Sequence, residues 1–412
     1  MKRWVIFLLF LCGMQTLSRA GVVEVDSLPD NLKQLLSVSA SPLFQDPNVP
    51  RFVMVDPSGK YLFGIGGYVS VNTFYDFNRL KSLGLKVNTI PLDETDVLRS
   101  QYLGMDLSRS RLSFRLLGDL SIGRINAYLE TEFSGAEQSL ALKHAYISIR
   151  SLTLGQTYSY FGDQIAPVTI DPEGPVASPI RFVPLLGYSH TFGSRFRFTA
   201  SLEFTSSTMA TLFHEAEGTP MVEPVSQRYP DLPLTLSYTD ARWHLFLAWN
   251  SRLMTYPAWD QFKRKYTYAV QLNARYQWCT QRELQQRIYA QVVYTRGMGD
   301  CMTDLQGGGM NFWVDPSYEN LYLIPAYGMM LSYELLYGRN TMSVIYSRTQ
   351  VLGDYAFASE LYRAGDYASV TYLCEVVDHG VVGVEGIWGR RTLVDGRRGN
   401  DVRVNLLLRY DF

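Results

Sequence analysis

After Ala20 the chain alternates. Stretches of about ten residues place apolar and polar side chains at a period of two, which marks strands with two unlike faces. Clusters of Gly, Pro, Asn, Asp and Ser separate the stretches. The pattern predicts sixteen strands, at 64–75, 107–117, 123–133, 140–149, 152–160, 181–191, 194–205, 231–239, 241–251, 266–279, 287–297, 326–337, 341–350, 367–378, 381–391 and 401–412. A helical period is held only over Leu28 to Leu36, which predicts one short helix. In SRSRLSFRL (108–116), Arg109, Arg111 and Arg115 share one parity while Leu112, Phe114 and Leu116 share the other. The next strand repeats the division, with Arg124, Asn126, Tyr128, Glu130 and Glu132 against Ile125, Ala127, Leu129 and Phe133.

The links between these strands sort by length. Short ones at 118–122, 239–240, 337–340 and 378–380 take turns with long ones at 77–106, 161–180, 206–230 and 298–325. A soluble sandwich has no reason to keep its short links at one end, whereas a transmembrane barrel has short periplasmic turns and long external loops. The predicted fold is therefore all-β: a transmembrane sixteen-stranded antiparallel β-barrel. In such a barrel neighbouring strands satisfy every backbone group, so the apolar parity faces lipid and the polar parity faces the lumen. Arg109, Arg111 and Arg115 then point inward, since each would cost about 2–4 kcal/mol at mid-bilayer on the lipid side. Sixteen strands leave an aqueous channel unless something fills it.

The two ends of the chain agree with export to an outer membrane. Lys2 and Arg3 precede the apolar run Trp4 to Met14, and Ser18 and Ala20 are small residues at −3 and −1 of a cleavage site after Ala20, so 1–20 reads as a secretory signal peptide. That run is too short to span a bilayer as a helix. Cleavage would remove Lys2, Arg3 and Arg19, moving the formal charge from −1 to −4; so mild a value does not indicate a nucleic-acid binder. Residues 21–62 are then a short N-terminal periplasmic segment and 63–412 the barrel. The last strand, DVRVNLLLRYDF, alternates and stops on Phe412. It resembles the C-terminal signature through which the barrel-assembly machinery recognises outer-membrane barrels. The chain's 28 Tyr, 21 Phe and 7 Trp suit strands, and Tyr68, Phe74, Tyr410 and Phe412 are expected in the interfacial girdles. A mean hydropathy of −0.07 excludes a helical membrane protein. Beyond the signal peptide Cys279, Cys301 and Cys374 remain; an odd number argues for free thiols over a disulfide scaffold.

The link YFGDQIAPVTIDPEGPVASPI (160–180) holds Pro167, Pro172, Pro175 and Pro179 with Asp163, Asp171 and Glu173. Its stiffness and composition suit either a loop folded against the inner wall or an external lid. GIGGYVSVNTFYDF (64–77), SRSRLSFRL (108–116), GRINAYLETEFSG (123–135), LKHAYISI (142–149), LGQTYSYFGD (154–163) and TIDPEGP (169–175) follow one another in an order that resembles the DcaP-type porins. These are trimeric sixteen-stranded outer-membrane channels, more distantly similar to phosphate-selective porins. The likeness is densest over 64–190. It implies diffusion of small, mainly anionic solutes such as dicarboxylates, a homotrimer, and a third external loop, here 160–180, folded inward to narrow the lumen. It also implies that Arg109, Arg111, Arg115 and the TIDPEGP loop match the eyelet. Lys143, in place of an arginine, and Leu140, in place of a polar wall residue, depart from the pattern, and 21–62 lacks a long helical extension.

The candidate pore-lining residues are Arg109, Arg111, Arg115, Arg124, Tyr128, Glu130, Gln156, Asp171 and Glu173. Guanidinium groups two residues apart on a strand lie about 6.6–7 Å apart, so an anion can pass along them without losing its partner. Glu130 and Glu132 on the adjacent strand leave a second possibility, a cross-strand charge lattice that stiffens the wall and selects little. An enzyme is not expected: the five histidines are scattered, and HExxH, GxSxG and Cys/His metal spacings are missing. His144 and Ser148 share a parity but stand about 13 Å apart. No metal or cofactor is implied. An energised receptor would need about 22 strands and a plug domain. The expected function is passive diffusion of small, preferentially anionic solutes through the bacterial outer membrane, the expected partners being those solutes and the membrane lipid; a structural or ligand-binding barrel is the alternative.

Overall fold

The computed structural model describes residues 22–24, 52–56, 60–92 except 79 and 81, and 101–412 except 136–138, 164, 206, 212–220, 226, 259–260, 282–283, 315–320 and 354–360. The expected signal peptide and the helix at Leu28 to Leu36 lie outside the described residues. Sixteen strands form the wall: β1 (Tyr61–Asp76), β2 (Arg111–Leu120), β3 (Gly123–Glu132), β4 (Ala141–Ile149), β5 (Leu152–Tyr158), β6 (Phe182–Phe192), β7 (Phe196–Glu203) and β8 (Leu232–Thr239). The second half comprises β9 (Trp243–Ala258), β10 (Gln261–Gln281), β11 (Leu284–Arg296), β12 (Pro325–Tyr337), β13 (Asn340–Val351), β14 (Tyr362–Val377), β15 (Gly380–Leu393) and β16 (Arg398–Asp411). Each pairs antiparallel with the next, and β16 closes the ring on β1 from Arg403↔Asp76 to Asp411↔Tyr68. Phe412 finishes the seam by exchanging two backbone hydrogen bonds of 2.9 Å with Gly67. Closure leaves no sheet edge for lipid to meet.

The alternation sorts the side chains as the solvents demand. On β16, Val402, Val404, Leu406 and Leu408 face out, whereas Asp401, Arg403 and Asn405 are buried inside. On β2, Leu116 faces out, and Ser113, Arg115 and Leu117 are buried. Outward aromatic pairs mark both membrane borders: Trp243 with Tyr276 near the short turns, and Trp249 stacked on Tyr268 at 5.2 Å nearer the long loops. Tyr410 is exposed on the outside. Tyr68 and Phe74 are not in a girdle. Both stand on the lumen side beneath guanidinium groups, Tyr68 under Arg409 at 3.9 Å and Phe74 under Arg403 at 4.7 Å; cation–π stacking outweighs interfacial preference there.

Four details depart from the predicted strand map. The second wall strand begins at Tyr102–Asp106, also paired to β1, and breaks at 107–110, where Asp106 accepts hydrogen bonds from the Ser108 N–H and hydroxyl before β2 resumes. Arg109 therefore stands in a turn, not on a strand. The hairpin of β9 and β10 outruns the wall, because β9 continues past its last pairing with β8 at Ser251, and Pro257 is tolerated there. On the N-terminal side, Phe52–Val55 pairs with Leu62 to Ile65 of β1, and Val22–Glu24 pairs with Phe52–Val55. This piece of the N-terminal segment thus extends the wall where β16 stops. A separate four-stranded sheet joins Ser207–Thr211, Met221–Val225, Phe312–Val314 and Leu321–Leu323 at the loop end.

Candidate functional site

The segment 159–181 runs from β5 across the lumen to the opposite wall. Its path is fixed by inward-facing polar side chains that its backbone groups would otherwise lack as partners. Glu385 of β15 accepts the Ile170 and Asp171 N–H groups at 3.1 and 2.7 Å, and the Ser347 hydroxyl of β13 accepts the Ala177 N–H at 3.1 Å. The Gln291 amide of β11 donates to the Ala177 carbonyl at 2.8 Å. Ile165 packs with Tyr289, Met330 and Ile345 of the wall. Two more loops lie against this one. Leu80, Leu85, Val87 and Ile90 cluster with Val176, Tyr367 and Ile387, and Met298, Cys301, Met302 and Leu305 pack on Phe161.

Buried ion pairs tie these loops to the wall. Arg252 of β9, fully buried, reaches Asp231 at 2.7 Å and Asp300 at 3.1 Å, and Arg181 joins the same two carboxylates. Asp231 is held below its usual carboxylate range by these two guanidinium groups, which outweigh its burial. Arg403 of β16 pairs with Asp76 at 2.8 Å and donates to the carbonyls of Leu80, Ser82 and Leu83. Burial pushes Asp171 up to about 7, and Glu385 adds to the effect. Burial likewise raises Asp304 to about 6. Cys301, pushed up to about 12 by burial, is an inert thiol.

Toward the short turns the lumen opens into a cavity of about 930 Å³, roofed by Asp163, Ile165, Ala166, Val168 and Thr169 of the crossing loop. Its wall carries Arg111, Arg195, Arg197, Arg275, Arg287 and Arg409 and three carboxylates, Glu130, Asp163 and Glu334. Each carboxylate is engaged: Glu130 by Arg111 at 2.9 Å and the Tyr128 hydroxyl at 2.5 Å, Glu334 by Arg287 at 3.0 Å, and Asp163 by His244 at 2.9 Å. Arg409 pairs with Asp411. Arg195, Arg197 and Arg275 make no ion pair among the described residues. Of the cavity arginines, sequence reasoning singled out Arg111 alone and passed over Arg195, Arg197, Arg275, Arg287 and Arg409. The signal was available, because Arg195 and Arg197 fall on one parity of the predicted strand 194–205.

The predicted site residues do not form one group. Arg109 and Lys143 hold Glu132 at 3.0 and 2.6 Å, and Arg111 holds Glu130, so the expected ladder is a cross-strand lattice. Arg115 is 1% exposed and lies over the Tyr128 ring at 5.0 Å, which packs it into the wall. Arg124 sits at the lower rim, paired with Asp119 at 3.3 Å. Gln156 is not in the lumen. It lies opposite Ala145 and Pro184 on the parity of the exposed Leu152 and Leu154. There its amide donates to the carbonyls of Leu142 and Lys143 beside the β4 bulge, where the ladder is interrupted. Asp171 and Glu173 do not line the open cavity either. Asp171 is 2% exposed and accepts the Leu85 and Glu173 N–H groups, and Glu173 packs against Gly84 so closely that a Cβ at 84 would force it to shift.

No protein-family profile matches the chain, and no curated protein matches it either. Solved structures do. The outer membrane channel DcaP of Acinetobacter baumannii has a TM-score of 0.71 at 18% identity, covering 87% of this chain and 99% of that one. An anion-selective porin from Comamonas acidovorans reaches 0.52 at 13% identity, covering 86% and 100%. OmpF of Salmonella typhi reaches 0.53 at 11%, covering 86% and 98%. The closed wall with apolar side chains outward and these likenesses lead to one identification of fold: a sixteen-stranded antiparallel barrel of the porin type.

Proposed function

We propose that this barrel is a diffusion channel for small hydrophilic solutes that prefers anions of dicarboxylate size. One observation carries the reading: the cavity wall presents six arginines against three carboxylates, and each of those carboxylates is already engaged. A permeating anion therefore meets unspent positive charge in a confined space, as in pores built from arginine rings. The crossing loop supports a size limit, because it roofs the same cavity. The anion-selective porin among the structural likenesses agrees with this direction. A cleaved signal peptide at 1–20, recognition of the Phe412 strand by the assembly machinery and a homotrimer complete the proposal.

Proteoliposome swelling tests it. A four-carbon dicarboxylate should enter faster than a neutral polyol of the same length, and the polyol faster than the matching diamine. Equal rates, or the reverse order, would remove the anion preference. An impermeable liposome would favour the structural-barrel alternative.

A further inference from the structure

Two arginine-bearing walls face the cavity, and their charge is in different hands. On the β2–β4 wall, Glu130 and Glu132 take up the charge of Arg111, Arg109 and Lys143 through contacts of 2.6–3.0 Å. A carboxylate entering from water would have to displace a buried, hydrogen-bonded partner to reach these guanidinium groups. The β7–β10 wall is different. Thr239 donates its N–H to the Arg195 carbonyl, its hydroxyl meets His244 at 2.8 Å, and His244 lies directly opposite Arg275 in the ladder. Arg195, Thr239, His244 and Arg275 therefore form one row around the wall, with Arg197 two residues above Arg195.

Neither Arg197 nor Arg275 makes an ion pair among the described residues, whereas Arg195 lies near enough to Asp240 to act on its charge; all three arginines line the cavity. The Arg275 Nε is buried with no acceptor. A buried donor left open is costly unless something fills it from outside the chain. Asp163, which the crossing loop brings to this wall, is held by His244 at 2.9 Å and by the Asn273 amide at 3.3 Å. On the far side, Arg287 is balanced by Glu334.

We infer that Arg195, Arg197 and Arg275 form the anion-selecting subsite, which takes the carboxylate or similar oxyanion group of a passing solute, and that the Arg109/Arg111 lattice contributes stiffness without selectivity. The inference rests on the anion-channel reading above and locates it on one wall. Three guanidinium forks within one arc can hand a planar oxyanion from one bidentate contact to the next.

Reversal potentials in a potassium chloride gradient, measured on the full-length protein in planar bilayers, test it with three variants. Arg197→Gln with Arg275→Gln should lower the anion-to-cation permeability ratio about threefold or more, while Arg197→Lys with Arg275→Lys keeps most of it. Arg109→Gln with Glu132→Gln removes a neutral pair of the lattice outside the cavity lining and should leave the ratio unchanged. A ratio that survives the Arg197/Arg275 glutamines and collapses with the Arg109/Glu132 pair would overturn the assignment. A wild-type protein without anion preference would instead remove the underlying reading. Heat-modifiable gel migration shows that each variant is a folded barrel before it is scored.

Discussion

The loop end and the turn end of the lumen use the same residue type for opposite purposes. At the loop end Arg252 and Arg403 are completely withdrawn from water, each gripping carboxylates and loop carbonyls. At the turn end Arg197 and Arg275 line an open cavity and make no ion pair among the described residues. Which role an arginine takes is set by the carboxylates that neighbouring strands and loops bring to it and not by its own position on a strand. A buried pair fixes geometry because breaking it strands a charge; a guanidinium in a water-filled passage acts on whatever anion arrives.

The comparison is broken most severely by Arg252→Ala. It would leave Asp231 and Asp300 buried with Arg181 alone, at a cost of about 3–5 kcal/mol, and should lower the temperature at which the barrel loses its folded gel mobility. Glu385→Ala comes next. It would orphan the Ile170 and Asp171 N–H groups, with about 1–3 kcal/mol lost per buried donor, so single-channel recordings should show larger and noisier conductance with the barrel intact.

A pH change sharpens the contrast at smaller scale. Asp171 keeps its proton in the folded chain up to about 7, against about 3.9 when unfolded. Its contribution to holding the loop is therefore whole below about pH 4 and is lost as pH rises through about 7. After correction for intrinsic exchange, the Ile170 and Asp171 amides should be better protected at pH 5 than at pH 8, and Asp171→Asn should flatten that difference. The smallest effect is expected from Gln156→Ala, which removes an outward amide serving the β4 bulge; solute swelling rates should be unchanged.

The wall was legible because lipid imposes a strict period of two and because the links sort by end, both readable from local sequence. The break at 107–110 was not, since the alternation of SRSRLSFRL runs through it while Asp106 turns the chain by hydrogen bonds that leave no hydropathic trace. Gln156 was misplaced for a related reason: polarity alone cannot tell a lumen side chain from one that serves a backbone bulge. Asp171 is anchored by a partner 214 residues away, and no spacing rule foretells Glu385. The arginine ladder had two readings in sequence, and the cross-strand register decides for the lattice. Arg195, Arg197 and Arg275 could be found by parity, but that Arg197 and Arg275 make no ion pair among the described residues is a property of the assembled wall.

The central claim is tested most directly by the sign of the reversal potential of the wild-type channel when potassium chloride is more concentrated on one side of the bilayer. The account predicts the sign set by chloride moving down its gradient faster than potassium. The potassium sign would contradict it.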